Sequence, residues 1–204
     1  MKVAIVGGTG DFGLALAARL VEAGDEVVIG SRDAGRAQEK ASEVGCDGNR
    51  NAAVVGVADL VVLATEANAA VAAAEELDPF LRVPLLCVAS RLEFVERWAR
   101  SPEAARSVAE QVSDVVQVPV VAGLHSLAAG KLARGRLDED AFVCGDDGDA
   151  KELAFELASK VVAGRVLDAG PLASARALEG MTAVIVNLNK RYKGHAGLHV
   201  TGLP

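Results

Sequence analysis

Apolar positions along the chain alternate between two rhythms. Short, nearly continuous aliphatic runs occur at Lys2–Val6, Glu26–Gly30, Asp59–Ala64, Val83–Val88, Val116–Ala122, Ala141–Cys144 and Arg165–Asp168, and predict strands. Between them, apolar residues return at helical spacing. Asp11–Ala23 is the clearest case, with Phe12, Leu16, Leu20 and Val21 on one face, and Gly24 closes it where a left-handed residue is cheap. Asp33–Val44, Ala67–Leu77, Pro102–Val112, Ala150–Val161 and Leu172–Asn189 are the other predicted helices. Runs such as Leu60-Val61-Val62-Leu63 carry no alternation, which is the signature of strands covered by helices on both faces of a parallel sheet. Strand and helix in turn therefore predict an α/β fold, a doubly wound parallel sheet of the Rossmann type. The last long helix follows the final strand and is expected to form a small C-terminal helical lobe, dividing the chain into residues 1–168 and 169–204.

Composition narrows the function classes. Lys and Arg total 21 against 28 Asp and Glu, a net charge of −7, so a general polyanion surface is excluded and no nucleic acid partner is expected. Aromatic residues make up 3% of the chain, too few for a base-stacking platform. The 3 cysteines, Cys46, Cys87 and Cys144, are far apart and odd in number, and read as buried reduced thiols. The apolar run at the N-terminus stops at Gly7, too early for a signal peptide, and Asp59 interrupts the longest apolar stretch, so no membrane span is expected and a cytoplasmic protein is.

Gly8-Thr9-Gly10-Asp11-Phe12-Gly13 fits G-x-G-x-x-G between a strand and a helix. In that context Gly8 is read as the tight turn, Gly10 as the point where a pyrophosphate approaches, and Gly13 as the helix–strand contact, with the helix N-terminus facing the phosphates. At the end of the second strand, folds that prefer NAD place an acid for the ribose 2′-hydroxyl. This chain has Gly30-Ser31-Arg32, with Arg36 one helical turn on. Guanidinium forks and a serine hydroxyl suit a 2′-phosphate, so NADP(H) is the expected cofactor, with Asp33 as a competing acid.

Beyond that fingerprint, the chain resembles the NADPH-dependent reductases of coenzyme F420 (F420H2:NADP+ oxidoreductases) over nearly its whole length. The resemblance rests on Val6–Gly10, Gly30–Arg32, Leu124-His125, Cys144–Asp147, Asp168–Leu172 and Asn189–Leu198. It implies hydride transfer between NADP(H) and the deazaflavin F420, with Thr9, Ser31, Arg32 and Arg36 at the 2′-phosphate end and Ala64-Thr65-Glu66 beside the nicotinamide. It also implies a deazaflavin pocket formed by Ala89-Ser90-Arg91-Leu92, Leu124-His125-Ser126 and the tail Leu203-Pro204, and a homodimer. Where the family usually has proline after the third predicted strand and Asn-Pro-Leu or Ser-Pro-Leu after the fourth, this chain has Thr65-Glu66 and Ala89-Ser90-Arg91. That altered loop keeps open an NADP-dependent reductase of a small imine or carbonyl, and a noncatalytic NADP-binding protein is the reading from another class.

Hydride transfer asks for aligned rings rather than a nucleophile and base. His125 is the candidate catalytic contact to the deazaflavin, with a structural histidine as the alternative. Asp146 and Asp147 read as helix caps before Ala150 in preference to a metal site. His195 and His199 have helical spacing for zinc, but Gly194 and Gly197 would break that helix, so no metal is expected. Lys190, Arg191 and Lys193 suit the last helix's C-terminal dipole, or the acidic tail of F420. Phe94 and Trp98 read as an apolar patch, either a lid or a dimer contact.

Overall fold

A computed structural model describes residues 1–103 and 106–203. In chain order the elements are β1 (Lys2–Val6), α1 (Asp11–Glu22), β2 (Glu26–Ser31), α2 (Ala34–Val44), β3 (Asp47–Arg50), α3 (Asn51–Val55), β4 (Leu60–Leu63), α4 (Ala67–Leu77), β5 (Leu85–Cys87), β6 (Glu93–Val95), β7 (Trp98–Arg100), α5 (Val108–Ser113), β8 (Val120–Gly123), α6 (Ala129–Leu132), β9 (Ala141–Gly145), α7 (Gly148–Val161), β10 (Val166–Asp168) and α8 (Ala175–Tyr192). Part of the predicted helix Pro102–Val112 falls on residues 104–105, outside the described residues; helix is found from Val108.

Eight strands form one sheet in the order β10-β9-β8-β5-β4-β1-β2-β3, while β6 and β7 pair as a separate antiparallel hairpin. The sheet is the expected doubly wound Rossmann type, with helices on both faces. It departs from an all-parallel sheet at one place: β9 runs antiparallel to β8, with Gly123 opposite Val143 and Val121 opposite Gly145. The chain returns from β8 to β9 through the short α6 instead of the long crossover helix that usually joins parallel neighbours.

Two apolar layers sandwich the sheet. Ile5, Leu16, Leu20, Ile29 and Leu157 join β1 and β2 to α1 and α7 on one face, and Val6, Leu63, Ala74, Leu85, Val112 and Leu178 join the strands to α4, α5 and α8 on the other. Each fully buried leucine contributes roughly 2 kcal/mol to this packing. Helix ends are specified locally. Asp33 caps α2 by accepting from Arg36 N at 3.0 Å, Asp147 caps α7 by accepting from Ala150 N at 2.8 Å, and Ser107 with Glu110 forms a capping box at α5. Asp146 does not cap α7 as expected; its carboxylate accepts instead from Leu172 N at 3.0 Å, beyond β10. α8 ends at Tyr192 with Lys193 in the left-handed region, so His195 and His199 lie in the tail beyond it and share no helical face.

Among the described residues no helix is long and apolar enough to cross a membrane. Cys87 and Cys144 are buried and Cys46 is half-buried. Burial pushes the Cys87 and Cys144 thiols up to about 12 and that of Cys46 up to about 11, which keeps them protonated and unreactive.

Candidate active site

The order of strands reverses between β1 and β4, and an α/β sheet opens a crevice at the C-terminal ends of its strands at such a point. Here the crevice is a cavity of about 460 Å³ lined by Gly7, Thr9, Gly10, Ser31, Arg32, Arg36, Asn51, Ala64, Thr65 and the face of α4 carrying Ala69, Ala72, Ala73 and Glu76. The structure thus brings together Gly7, Thr9, Gly10, Ser31, Arg32 and Arg36, from the segments that the pattern singles out, with Ala64, Thr65 and Glu66, which the resemblance sets beside the nicotinamide. It also adds two that the pattern did not reveal, Asn51 and the alanine face of α4.

The glycine turn differs in detail from its expected form. The residue with positive φ is Gly7, at 74°, not Gly8. Gly8 is buried, and a Cβ there would stand 2.8 Å from both Ile29 Cγ2 and Ile5 O. Gly8 is therefore a packing residue under the turn. Gly13 serves the helix–strand contact as expected, since a Cβ there would approach Gly8 Cα to 2.6 Å. Gly13→Ala is expected to push α1 off β1 and lower the thermal unfolding midpoint by several degrees, measured by calorimetry, with weaker NADPH binding in parallel. Asp11 is exposed in the first turn of α1 and Phe12 packs partly into the core; neither lines the cavity.

At the end of β2 the chemistry is cationic. Ser31 Oγ accepts from Asp33 N at 3.3 Å, which leaves its proton free to donate into the cavity. The Asp33 carboxylate, the expected competitor for an acidic role, is committed to the α2 cap. Arg32 and Arg36 are exposed at the cavity mouth. Two buried oxygens facing this region, Thr65 Oγ1 and Asn51 Oδ1, have no hydrogen-bond partner within the chain. Orphaned polar atoms are costly unless a ligand or water satisfies them, and a dinucleotide rich in ribose hydroxyls and amide groups fits that requirement.

A second cluster lies where β5 and β8 end. Ala89 is buried, Ser90 Oγ is 2.8 Å from Thr182 Oγ1, and Thr182 Oγ1 donates to the His125 carbonyl at 2.8 Å. His125 is 6% exposed, and neither ring nitrogen makes a well-aligned hydrogen bond within the chain. Burial holds its imidazole down to about 4, with the Ala89 backbone offsetting this only in part, so the ring is neutral at ordinary pH. Arg91 turns away from this cluster toward a small recess that it lines with Glu179 and Ser101.

The tail is strapped to the start of β9. The buried Asp140 carboxylate accepts from Val200 N and Arg165 N, each at 2.8 Å, and Asp140 N donates to Leu198 O at 2.8 Å. The two backbone N–H donors and the Arg165 guanidinium push the Asp140 carboxyl down to about 2. Arg165 also donates to Val200 O. Leu203 stands exposed beyond these anchors, and Pro204 lies outside the described residues. Lys190 donates to Arg97 O at 2.6 Å, tying α8 to the β6–β7 hairpin, while Arg97 lies over the Trp98 ring. Among the described residues no group of three or more His, Cys, Asp or Glu is placed to hold a metal ion.

Comparison with known proteins agrees with this geometry. Residues 2–86 match the family described as NADP oxidoreductase, coenzyme F420-dependent. The chain is 34% identical to the F420-dependent NADP reductase of Methanothermobacter thermautotrophicus, over 100% of this chain and 96% of that protein. With the enzyme of the same name from Methanocaldococcus jannaschii the identity is 30%, over 100% of this chain and 99% of the relative. A solved structure from Arthrobacter sp. FB24, provisionally named an F420-dependent NADP-reductase, superposes with a TM-score of 0.83 at 28% identity, covering 99% of this chain and 100% of that one. With full-length identity of this order and a matching cofactor crevice, the chain belongs to the F420-dependent NADP reductase family.

Proposed function

We propose that this protein transfers a hydride between NADP(H) and coenzyme F420. The observation that carries the reading is the cavity at the sheet's switch point, where a glycine cradle and two arginines meet while Asp33, the acid that follows Arg32 at the end of β2, is spent on a helix cap. Gly7 and Gly10 would face the pyrophosphate, Thr9, Ser31, Arg32 and Arg36 the 2′-phosphate, and Ala64 and Thr65 the nicotinamide side. Gly8 and Gly13 shape the turn from beneath, and Asp11 and Phe12 set the start of the helix whose N–H groups point at the phosphates.

The deazaflavin would lie over Ala89 and Ser90, against His125, with the tail through Leu203 closing one side. When both are bound, the nicotinamide and deazaflavin supply the hydride chemistry between them. The chain's own part is to hold the rings in contact, exclude water and offer a neutral imidazole as a hydrogen-bonding group. In this reading residues 1–168 form the dinucleotide-binding domain and 169–204 the lobe that completes the pocket. The protein works in the cytoplasm as a homodimer, for which exposed Val184, Leu188 and Tyr192, spaced four apart on α8, supply an apolar stripe.

The test is a titration of the purified protein with NADPH and oxidised F420, following loss of F420 absorbance, with NADH in parallel. Rapid bleaching with NADPH is expected. NADPH binding without bleaching, or oxidation by an imine or carbonyl instead, would overturn the assignment of the second substrate.

A further inference from the structure

We propose that Thr182 is the positioning residue that sets the His125 imidazole toward the second substrate; this rests on the reading of His125 as a substrate contact. The imidazole makes no well-aligned hydrogen bond within the chain, and its contact with the Ala89 backbone is too weak to offset its burial, so little at the ring itself fixes its direction. Its direction is inherited from the backbone. That backbone is unusual, because Leu124 has φ of 64°, a conformation that a branched residue adopts only when its surroundings impose it. Before the histidine, Leu124 N donates to Phe142 O at 3.2 Å and pins the strand end to β9. At the histidine itself, the carbonyl is held by Thr182 Oγ1 at 2.8 Å.

A hydroxyl has one proton, and that of Thr182 goes to the His125 carbonyl. Ser90 must therefore be the donor in the 2.8 Å contact with Thr182. The result is a directed relay, Ser90 to Thr182 to His125, that joins the loop after β5, the helix α8 and the loop after β8. Ser90 is thereby a residue that shapes the pocket through Thr182, and the two hydrogen bonds tie both loops to α8. Thr182→Val keeps the shape but removes both bonds, leaving the His125 carbonyl free to turn and the Leu124 conformation less constrained.

The first readout uses the free protein. Only 3 histidines are present, so ring resonances of isotope-labelled histidine resolve His125 once His125→Leu identifies it. In the wild type one sharp, pH-invariant set is expected above pH 5; in Thr182→Val this set should broaden or titrate nearer the ordinary histidine value, and Thr182→Ser should restore it. The second readout is kinetic. Thr182→Val is expected to lower kcat with F420 about tenfold, as for a misplaced contact, with the dissociation constant for NADPH unchanged. Thr182→Ala serves if the valine variant does not fold. In a His125→Leu background, Thr182→Val should cost little more. Unchanged His125 resonances, or a full additional loss in the His125→Leu background, would overturn the proposal. If His125→Leu alone leaves turnover intact, it is the reading of His125 as a contact that fails.

Discussion

Arg32→Ala is expected to weaken NADPH binding by ten- to a hundredfold while NADH binding changes by no more than about twofold. A hydrogen bond from a guanidinium to a phosphate is worth roughly 1.5–3 kcal/mol, which sets the range. The selectivity follows from where Arg32 stands. It closes the cavity at the end of β2 beside Ser31 and Arg36, on the side away from Thr65 and the β4 end. NADH has a hydroxyl where NADPH has a dianionic phosphate, and a guanidinium discriminates strongly only against the loss of that charge. Because Arg32 and Arg36 are exposed, the advantage of NADPH over NADH should also shrink as salt is raised, and this shrinkage should be smaller in the Arg32→Ala variant. Fluorescence titrations with both nucleotides at low and high ionic strength measure all four quantities. Equal losses for the two nucleotides would remove Arg32 from the 2′-phosphate site.

The features legible in the sequence are those written in hydrophobic periodicity. β1, β4, β5 and β8 are buried along their lengths, and continuous aliphatic runs marked each of them. β3 escaped because Asp47-Gly48-Asn49-Arg50 has no apolar residue; it is a strand through its pairing with β2 and through Gly48, where a Cβ would lie 2.3 Å from Ala37 O. The hairpin of β6 and β7 is short, and its first strand is exposed throughout. The direction of β9 was equally invisible, since a strand buried on both faces has the same composition whether its neighbour runs parallel or antiparallel.

At the site the same distinction holds. Ser31 and Arg32 could be found because their position after β2 carries a chemical meaning. The alanine face of α4 could not, because Ala69, Ala72 and Ala73 at helical spacing look like any core-facing stripe, whereas here they line the cavity. The fingerprint fits in one register, beginning at Gly8, yet the positive φ of the turn falls on Gly7 just before it, which the pattern does not encode. Thr182 lies 57 residues from the carbonyl it holds, a separation that no local pattern encodes.

Two buried groups near the second cluster should oppose each other in the pH dependence of stability. His125 is held down to about 4 by burial, from an ordinary value of 6.5. It adds stability that is fully present above pH 6.5 and lost as pH falls through about 4, because the unfolded chain takes up the proton first. Glu179 behaves in the opposite sense. It is buried, accepts from Val108 N at 2.6 Å, and is pushed up to about 7 by burial from an ordinary 4.5, so its contribution is full below pH 4.5 and lost as pH rises through about 7. Each amounts to roughly 3 kcal/mol, at about 1.4 kcal/mol per pKa unit. Between pH 4.5 and 6.5 the two slopes nearly cancel in the wild type. His125→Leu should therefore lose stability as pH rises from 5 to 7, and Glu179→Gln should gain it over the same range. Urea unfolding at pH 5, 6 and 7 would show the two variants diverging, and parallel curves would mean that neither group carries the shift its burial demands.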